Sequence, residues 1–303
     1  MNHADQTALA GWDGTAGPAM AAQLAREERV RATLGAVLPQ LVGIDEGAAL
    51  AEELVIRTRA AMAALAGDLL RDCGDETAAL APELARALSA RPALLAHAHS
   101  LALEAGTAER LAGLGLDPVL TPVLERFLAG DRDTATLAMA VLAAQARFTS
   151  RQRRMDMISA ELPADLMHEA LVALADVAGP EGHDRAAALR AGYDEARTRL
   201  ALLGRLALVG AVDGAEMLDP AATGWSLFAT VLAQRAGVPR EEAVLAGATG
   251  QDLRLALLLR TAGAEPEATE AAVAMVHPQV QVPAGWARVP AAEAAALLAG
   301  GTA

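Results

Sequence analysis

Apolar residues recur along most of the chain three or four positions apart, which is the spacing of amphipathic helices. Glycine or proline ends nearly every such stretch, for example at Gly130, Gly179-Pro180 and Gly263. The pattern predicts helices over 18–38, 46–72, 76–89, 92–105, 118–129, 132–153, 163–178, 184–209, 224–236, 240–247, 250–262 and 266–276. Because short connections fold neighbouring helices back on each other, we expect an all-α protein of stacked antiparallel hairpins, either a HEAT-like or irregular helical repeat or a bundle.

The same pattern divides the chain into four regions. Residues 1–17 show no apolar period and are expected to be a flexible tail. A first helical lobe is predicted over 18–160 and a second lobe of helical hairpins over 161–276, with Pro163 as the first helical residue of the second lobe. Residues 277–303 begin with alternating valines and prolines, which favour an extended segment, and end in an Ala-rich terminal helix.

Two stretches near the C-terminus repeat one residue pattern. A proline and a second, acidic helix follow each copy, at Pro239 and Pro266. The repetition predicts two tandem hairpins, each of which buries its apolar face by stacking on the other. The matching residues, 26 positions apart, are Leu227, Val231, Leu232, Ala236 and Gly237 in the first copy and Leu253, Leu257, Leu258, Ala262 and Gly263 in the second.

Four arginines lie within eight residues at the end of the helix predicted over 132–153: Arg147, Arg151, Arg153 and Arg154. The apolar stripe of that helix contains Leu137, Val141, Gln145 and Phe148. One interpretation is structural, since arginines complement the negative end of a helix dipole and pair with nearby carboxylates such as Asp156 and Glu161. The other interpretation is a contact site for carboxylates or phosphates of a partner, because guanidinium groups are permanently charged planar donors.

Two histidines, His97 and His99, occupy one predicted helix. Two positions apart, they lie on different faces and cannot chelate one metal ion together. A phosphotransfer role would use one exposed imidazole on a helical bundle, but a lysine and a glycine are expected shortly after such a histidine. Leu101, Ala102 and Leu103 follow here, which favours packed or hydrogen-bonded histidines.

The turn at Gly237 has the alanine-to-glycine spacing of a helix-turn-helix, counted from Ala233. The second helix would begin with Arg240, Glu241 and Glu242. Two carboxylates at that position would face the phosphates of a DNA groove, so a plain helical hairpin accounts for the turn better than DNA reading.

Composition narrows the class of protein further. The 303 residues are 53% hydrophobic, 21% charged and 2% aromatic, and alanine and leucine dominate, which favours helix throughout. All 25 basic residues are arginine, and the net charge of -13 opposes extended contact with nucleic acid. The single Cys73 excludes an intramolecular disulfide.

The chain shows no targeting or membrane signal. Its first residues lack the basic region and apolar core of a signal peptide, so we expect a cytoplasmic protein. The most apolar run, Leu200 to Val212, contains Arg205 and is shorter than the ~20 residues that span a bilayer. No Gly-rich phosphate loop, nucleophile elbow or metal-ligand spacing occurs, so we expect no cofactor and no metal.

Several segments resemble an uncharacterised all-helical family of alphaproteobacteria that is classed as a domain of unknown function. The resemblance covers roughly residues 20–276 and has its most specific motif at Gln145–Met155. Further similar segments are Pro92–His99, Leu116–Leu120, Glu161–Leu166 and Leu253–Gly263. The resemblance implies a helical, repeat-like fold and supplies no catalytic residues.

These observations predict a non-enzymatic helical interaction or regulatory protein. Its candidate contact site is the set Arg147, Arg151, Arg153 and Arg154, and its expected partner is a protein with an acidic surface. Two alternatives stay open, a phosphotransfer protein using His97 or His99 and a nucleic-acid-binding regulator.

Overall fold

The computed structural model describes residues 16–42, 53–279, 282–283 and 285–300, with side chains throughout except at 30, 31, 33–42 and 211–213. Every regular element in these ranges is helical, which confirms the all-α class. Within the described residues, no helix is both long enough and apolar enough to cross a bilayer.

Fourteen α-helices and four short 3-10 helices make up the described chain. The α-helices are α1 (Gly17–Val42), α2 (Glu53–Leu69), α3 (Asp75–Ala78), α4 (Ala81–Ser89), α5 (Pro92–Ala112), α6 (Pro122–Leu128), α7 (Arg132–Arg153), α8 (Ala164–Gly192), α9 (Arg199–Val209), α10 (Pro220–Ala236), α11 (Arg240–Leu245), α12 (Asp252–Thr261), α13 (Pro266–Val276) and α14 (Ala291–Gly300). The 3-10 helices are Ser159–Glu161, Glu195–Arg197, Gly210–Leu218 and Trp286–Arg288.

The structure confirms some predicted helix ends and corrects others. The predicted spans 132–153 and 266–276 coincide with α7 and α13. The predicted end at 105 is wrong, because α5 continues past Gly106 to Ala112. The predicted break at Gly179-Pro180 is a kink inside α8, where Gly179 has φ 59° and ψ -137°. The predicted single helix 76–89 is divided into α3 and α4.

The predicted single helix 184–209 is wrong, because the chain leaves the helix between α8 and α9. There the Asp194 carboxylate accepts the N–H of Ala196 at 3.1 Å, and the Thr198 hydroxyl accepts the N–H of Ala201 at 3.3 Å. Such local side-chain caps end helices without glycine or proline.

The chain folds into two compact units, each built from separate segments. The first unit takes its described residues from Met1–Thr33, Gly106–Met139 and Leu203–Ala303, and the second from Leu34–Ala105 and Ala140–Leu202. The predicted lobes 18–160 and 161–276 are each one continuous stretch of chain, whereas each unit combines separate stretches. The predicted boundary near Pro163 lies inside the second unit. Most of the predicted tail, and the predicted extended segment at 280–281 and 284, lie outside the described residues.

The second unit has a core of leucine and alanine side chains from α2, α4, α5 and α8. This core explains why no boundary between units falls near Pro163, because side chains just before and after that residue pack together with those of α2. Fully buried members are Leu65, Leu69, Leu84, Leu88, Leu94 and Leu174. Each leucine buried in this way stabilises the fold by about 1.5–3 kcal/mol relative to an exposed side chain.

In the first unit, the N-terminal helix packs against C-terminal elements. Met20 and Leu24 of α1 share a core cluster with Leu253 and Leu257 of α12 and with Ala294 of α14. A second part of this unit centres on Trp225, which is 2% exposed and contacts Phe228 at a ring-centroid distance of 5.4 Å.

The two predicted tandem hairpins have matching helix ends. Gly237 and Gly263 both follow a helix with positive φ, 70° and 88°. The N–H of Val238 donates to the Ala233 carbonyl and that of Ala264 to the Leu259 carbonyl, both at 3.0 Å and 26 residues apart in the chain. These are the same closing bonds of a left-handed helix end. The match is limited to these helix ends, because the second helices of the two hairpins differ in length: α11 has 6 residues and α13 has 11.

We predict that Gly237→Ala and Gly263→Ala each lower the free energy of unfolding by about 1–2 kcal/mol, because a Cβ disfavours the left-handed conformation. Neither added Cβ would meet an atom within 4 Å, so backbone strain alone sets the cost. Urea unfolding followed by circular dichroism measures both values. Gly67→Ala in α2 is the matched control and should be neutral or stabilising by up to about 1 kcal/mol. Clearly unequal costs at the two positions would contradict the equivalence of the two helix ends.

Candidate protein-interaction site

Helix α7 carries the arginine cluster and is fixed at both ends. At its start the Asp131 carboxylate accepts the N–H groups of Asp133 and Thr134, each at 3.0 Å, and these bonds lower the pKa of Asp131. At its end the N–H of Asp156 donates to the Arg151 carbonyl at 3.0 Å, while Met155 adopts a positive φ of 54°. The helix therefore stops at Arg153, and the backbone turns away within the cluster.

The four arginines have different environments. Arg151 is half-buried and pairs with Glu161, with 3.3 Å between Nη1 and Oε1. Arg154 is exposed and donates to the Ser150 hydroxyl at 2.9 Å. Arg147 and Arg153 are exposed, and neither forms an ion pair or hydrogen bond with any side chain that the structure describes. The structural interpretation therefore applies to Arg151, while three guanidinium groups lie at the surface.

The apolar stripe of α7 is buried as predicted, and its one polar member has a specific partner. Val141, Gln145 and Phe148 are 3%, 4% and 8% exposed. The Gln145 amide oxygen accepts from Arg199 Nη1 at 3.2 Å. The guanidinium carbon of Arg199 lies 3.6 Å from the centre of the Phe148 ring, which is cation–π geometry.

Arg199 and Glu104 form a buried ion pair beneath this helix. The guanidinium donates to both carboxylate oxygens, at 2.7 and 3.0 Å, and the two side chains are 5% and 0% exposed. Bidentate pairing of this kind fixes the relative position of both groups as well as their charge. Helices α5, α7 and α9 are thereby joined through one guanidinium.

Glu161 connects the buried pair to the surface cluster. Its Oε2 accepts the backbone N–H of Arg199 at 2.8 Å, at the first residue of α9, and its Oε1 accepts from Arg151. A carboxylate at a helix N-terminus interacts favourably with the helix dipole. Arg151 is thus held inward by the same carboxylate that caps α9.

A small cavity lies between these groups, with a volume of about 30 Å³. Its lining includes His97, Arg151, Asp156, Glu161 and Arg199. This volume suits about one water molecule and excludes an organic ligand. The structure therefore brings His97 and Arg151 to one internal site, while Arg147, Arg153 and Arg154 are not part of its lining.

Neither histidine presents an open imidazole. His97 is 4% exposed. His99 Nε2 is buried and lacks a hydrogen-bond partner within the described chain, and burial lowers the pKa of His99 to about 4. This environment favours packed histidines over a phosphotransfer site, which requires contact with a second protein.

The turn at Gly237 leads into a short helix. Helix α11 contains 6 residues, fewer than two turns. Arg240, at its start, donates to the Thr230 hydroxyl at 2.9 Å and to the Ser226 carbonyl at 3.2 Å. Its guanidinium therefore connects the two helices of the hairpin, and this geometry favours a plain hairpin over a DNA-reading motif.

The motif Gln145–Met155, on which the family resemblance depends most, supplies both buried and exposed residues of this site. Gln145 and Phe148 lie against Arg199, whereas Arg147 and Arg153 face solvent.

No protein-family model matches the chain, and no curated protein or solved structure matches it either. Within the described residues, no cluster of three or more His, Cys, Asp or Glu side chains could hold a metal ion.

Sequence reasoning did not identify Glu104, Gln145 and Arg199 as partners. Glu104 and Arg199 are 95 residues apart, and the pairing depends on tertiary packing. One signal was present: a glutamine stands in the apolar stripe of α7, and a buried amide requires a hydrogen-bond partner.

We predict that Glu104→Gln lowers the free energy of unfolding by about 3–5 kcal/mol, because it leaves a buried guanidinium without a counter-charge. The double variant Glu104→Met/Arg199→Met should recover most of that loss, since it removes both buried charges. Urea unfolding measures all three proteins. Glu83→Gln, at an exposed position of α4, is the control and should stay within about 0.5 kcal/mol of the wild type. A Glu104→Gln protein as stable as this control would refute the role of the pair.

We predict that His99 makes stability depend on pH between about 6.5 and 4. Its folded-state pKa lies below the unfolded value, so the unfolded chain binds more protons in this window. Stability is therefore complete above about pH 6.5 and falls as the pH is lowered, by about 2 kcal/mol at pH 5. His99→Leu should remove that part of the slope of unfolding free energy against pH.

His168→Leu is the matched control for this measurement, because His168 is an exposed histidine of α8. It should leave the slope unchanged. Burial also lowers the pKa of His277, so part of the slope will persist in both variants. If the slope for His99→Leu equals that of the wild type, the pKa of His99 is not lowered in the folded protein and the prediction is wrong.

Proposed function

We propose that this chain is a cytoplasmic, non-enzymatic interaction protein that binds an acidic segment of another protein at the end of α7. The contact surface consists of Arg147, Arg153 and Arg154, which we call the arginine surface. The observation that carries the proposal is the exposure of all three side chains, none of which forms an ion pair with the described residues. Only Arg154 donates a hydrogen bond, to the Ser150 hydroxyl.

The arginine surface is rigidly supported from below. Phe148, one residue from Arg147, is held against Arg199, and Arg151 is held by Glu161. The backbone that carries the exposed arginines is therefore ordered before a partner arrives. A preorganised site loses less conformational entropy on binding than a flexible one.

An acidic protein segment suits this surface better than nucleic acid does. The chain has a net charge of -13, which opposes the approach of a long polyanion. A short run of carboxylates comparable in size with the screening length of about 8–10 Å experiences mainly the local positive field. Guanidinium groups bind carboxylates through paired hydrogen bonds, which gives such a contact its geometry.

Membership of the alphaproteobacterial helical family that the sequence resembles is also part of this proposal. The resembling motif Gln145–Met155 includes all three residues of the arginine surface. Relatives in that family would then present a comparable basic surface at the end of the equivalent helix.

We predict that Arg147→Glu/Arg153→Glu weakens binding of a fluorescent glutamate-rich peptide by about tenfold or more, because each reversal replaces an attraction by a repulsion. Fluorescence anisotropy at low and physiological ionic strength measures the dissociation constant. Circular dichroism and the melting temperature should remain those of the wild type, since neither side chain has a partner within the described fold.

Arg132→Glu/Arg205→Glu is the matched control, with the same change of net charge at two exposed arginines outside the arginine surface. It should bind the peptide like the wild type. Equal weakening in both double variants would show that only overall charge matters. Tighter, salt-sensitive binding of a DNA duplex than of the peptide by wild type would replace the protein partner with nucleic acid.

A further inference from the structure

The first unit contains a cleft that is independent of the arginine surface. Its volume is about 630 Å³, within the range of small-molecule sites in proteins. Residues of α1, the end of α5, the start of α12 and the segment after α13 surround it. Arg26, Arg110, Thr249 and Gln279 lie at its exposed rim, while Glu27, Asp252, Val276 and His277 are buried.

The acidic groups in the cleft already have hydrogen-bond partners. The Glu27 carboxylate accepts the N–H groups of Leu253 and Arg254 at 3.3 and 3.1 Å, and so caps the first turn of α12. Asp252 Oδ1 lies 3.3 Å from Nδ1 of His277. Burial raises the pKa of Glu27.

His277 is held between two oxygen atoms. Its Nδ1 faces Asp252, and its Nε2 lies 2.9 Å from the Ala246 carbonyl. Both ring nitrogens are thus engaged by the protein itself. The imidazole forms part of the buried wall of the cleft and is not available as a nucleophile or a metal ligand.

The two arginines of the cleft differ from these acids because neither has a counter-ion within the described chain. Arg110 donates to two neutral oxygens, the Gly247 carbonyl at 2.9 Å and the Thr107 hydroxyl at 3.4 Å. Arg26 forms no ion pair or hydrogen bond with the described residues. A guanidinium group has five donors, so several remain for a ligand.

Arg254, a nearby buried arginine, differs from Arg26 and Arg110 because the chain itself supplies its counter-ions. Arg254 is 4% exposed and has two carboxylate partners, Glu28 at 2.7 Å and Glu242 at 3.2 Å. In this acidic protein the fully buried guanidinium is neutralised by the chain, whereas the two guanidinium groups lining the cleft are not. The two guanidinium groups without a counter-ion in the described chain therefore line the same large cleft.

We propose that this cleft binds a small hydroxylated organic anion, with its carboxylate or phosphate group held by Arg26 and Arg110. The charged end of the ligand would occupy the rim, where the free donors are. Its hydroxyl groups would face the buried oxygens of Asp252 and Glu27, which accept hydrogen bonds. Val276 and Pro278 supply apolar wall for the carbon skeleton.

Calorimetric titration of the 303-residue chain tests the site, with gluconate as the carboxylate probe and glycerol phosphate as the phosphate probe. Binding of either probe supports the proposal and identifies the preferred anionic group. Arg110→Gln and Arg26→Gln should each weaken that binding by about tenfold or more, because each removes a charge-assisted hydrogen bond. Arg205→Gln, at an exposed arginine of the same unit outside the cleft, should bind like the wild type.

Two results would overturn the proposal: no heat of binding with either probe, or unchanged affinity in both cleft variants. Weaker binding by Arg26→Gln cannot be attributed to loss of folding, because Arg26 forms no ion pair or hydrogen bond with the described residues. This variant should keep the wild-type melting temperature.

Discussion

The arrangement of the second unit around the arginine cluster depends on one buried ion pair, Arg199 with Glu104. Both groups are almost completely removed from water, so each is tolerable only with the other in place. Replacing such a pair by apolar side chains is often neutral for stability. We therefore infer that the main effect of this pair is on geometry. A bidentate pair tolerates little sliding or rotation of the helices that carry it. Here it positions Phe148 and Gln145 of α7, and Glu161 then caps the helix that carries Arg199. Arg147 and Arg153 are exposed on the α7 segment fixed in this way, and Arg154 follows its last residue.

Arginine is the large side chain that connects several elements within each unit of this protein, which contains few aromatic residues. Aromatics make up 2% of the chain, and all 25 basic residues are arginine. Three arginines, at 199, 254 and 260, are 4–6% exposed. Each contacts several elements of its own unit: Arg254 binds two carboxylates, and Arg260 donates to the Val289 and Ala264 carbonyls. A planar guanidinium group has five donors, so it can hydrogen-bond to several elements at once and fix their relative orientation. Small alanine side chains cannot do this.

Local chemistry determined what could be predicted from the sequence. The starts of α7 and α13 follow from Gly130, Asp131 and Pro266, whose effects extend over only a few residues. Both helices coincide with their predicted spans. The break before Arg199 was missed because Asp194 and Thr198 cap the backbone without the glycine or proline that usually marks an end. The division into units could not be predicted, since it brings together segments such as α1 and α12 that are more than 200 residues apart. Periodicity identifies which face of a helix is buried and says nothing about its partner.

The same limit explains why four arginines at similar spacing have different roles. Nothing in the local sequence distinguishes Arg151 from Arg147 in the same helix or from Arg154, which follows the end of that helix. Arg151 differs because Glu161, ten residues later, returns to it while also capping α9. In the first unit the corresponding contrast is between Arg254, which Glu28 and Glu242 neutralise, and Arg110, which has only neutral acceptors. In both units the difference is set by tertiary contacts: a carboxylate from elsewhere in the chain reaches Arg151 and Arg254, and none in the described chain reaches Arg110.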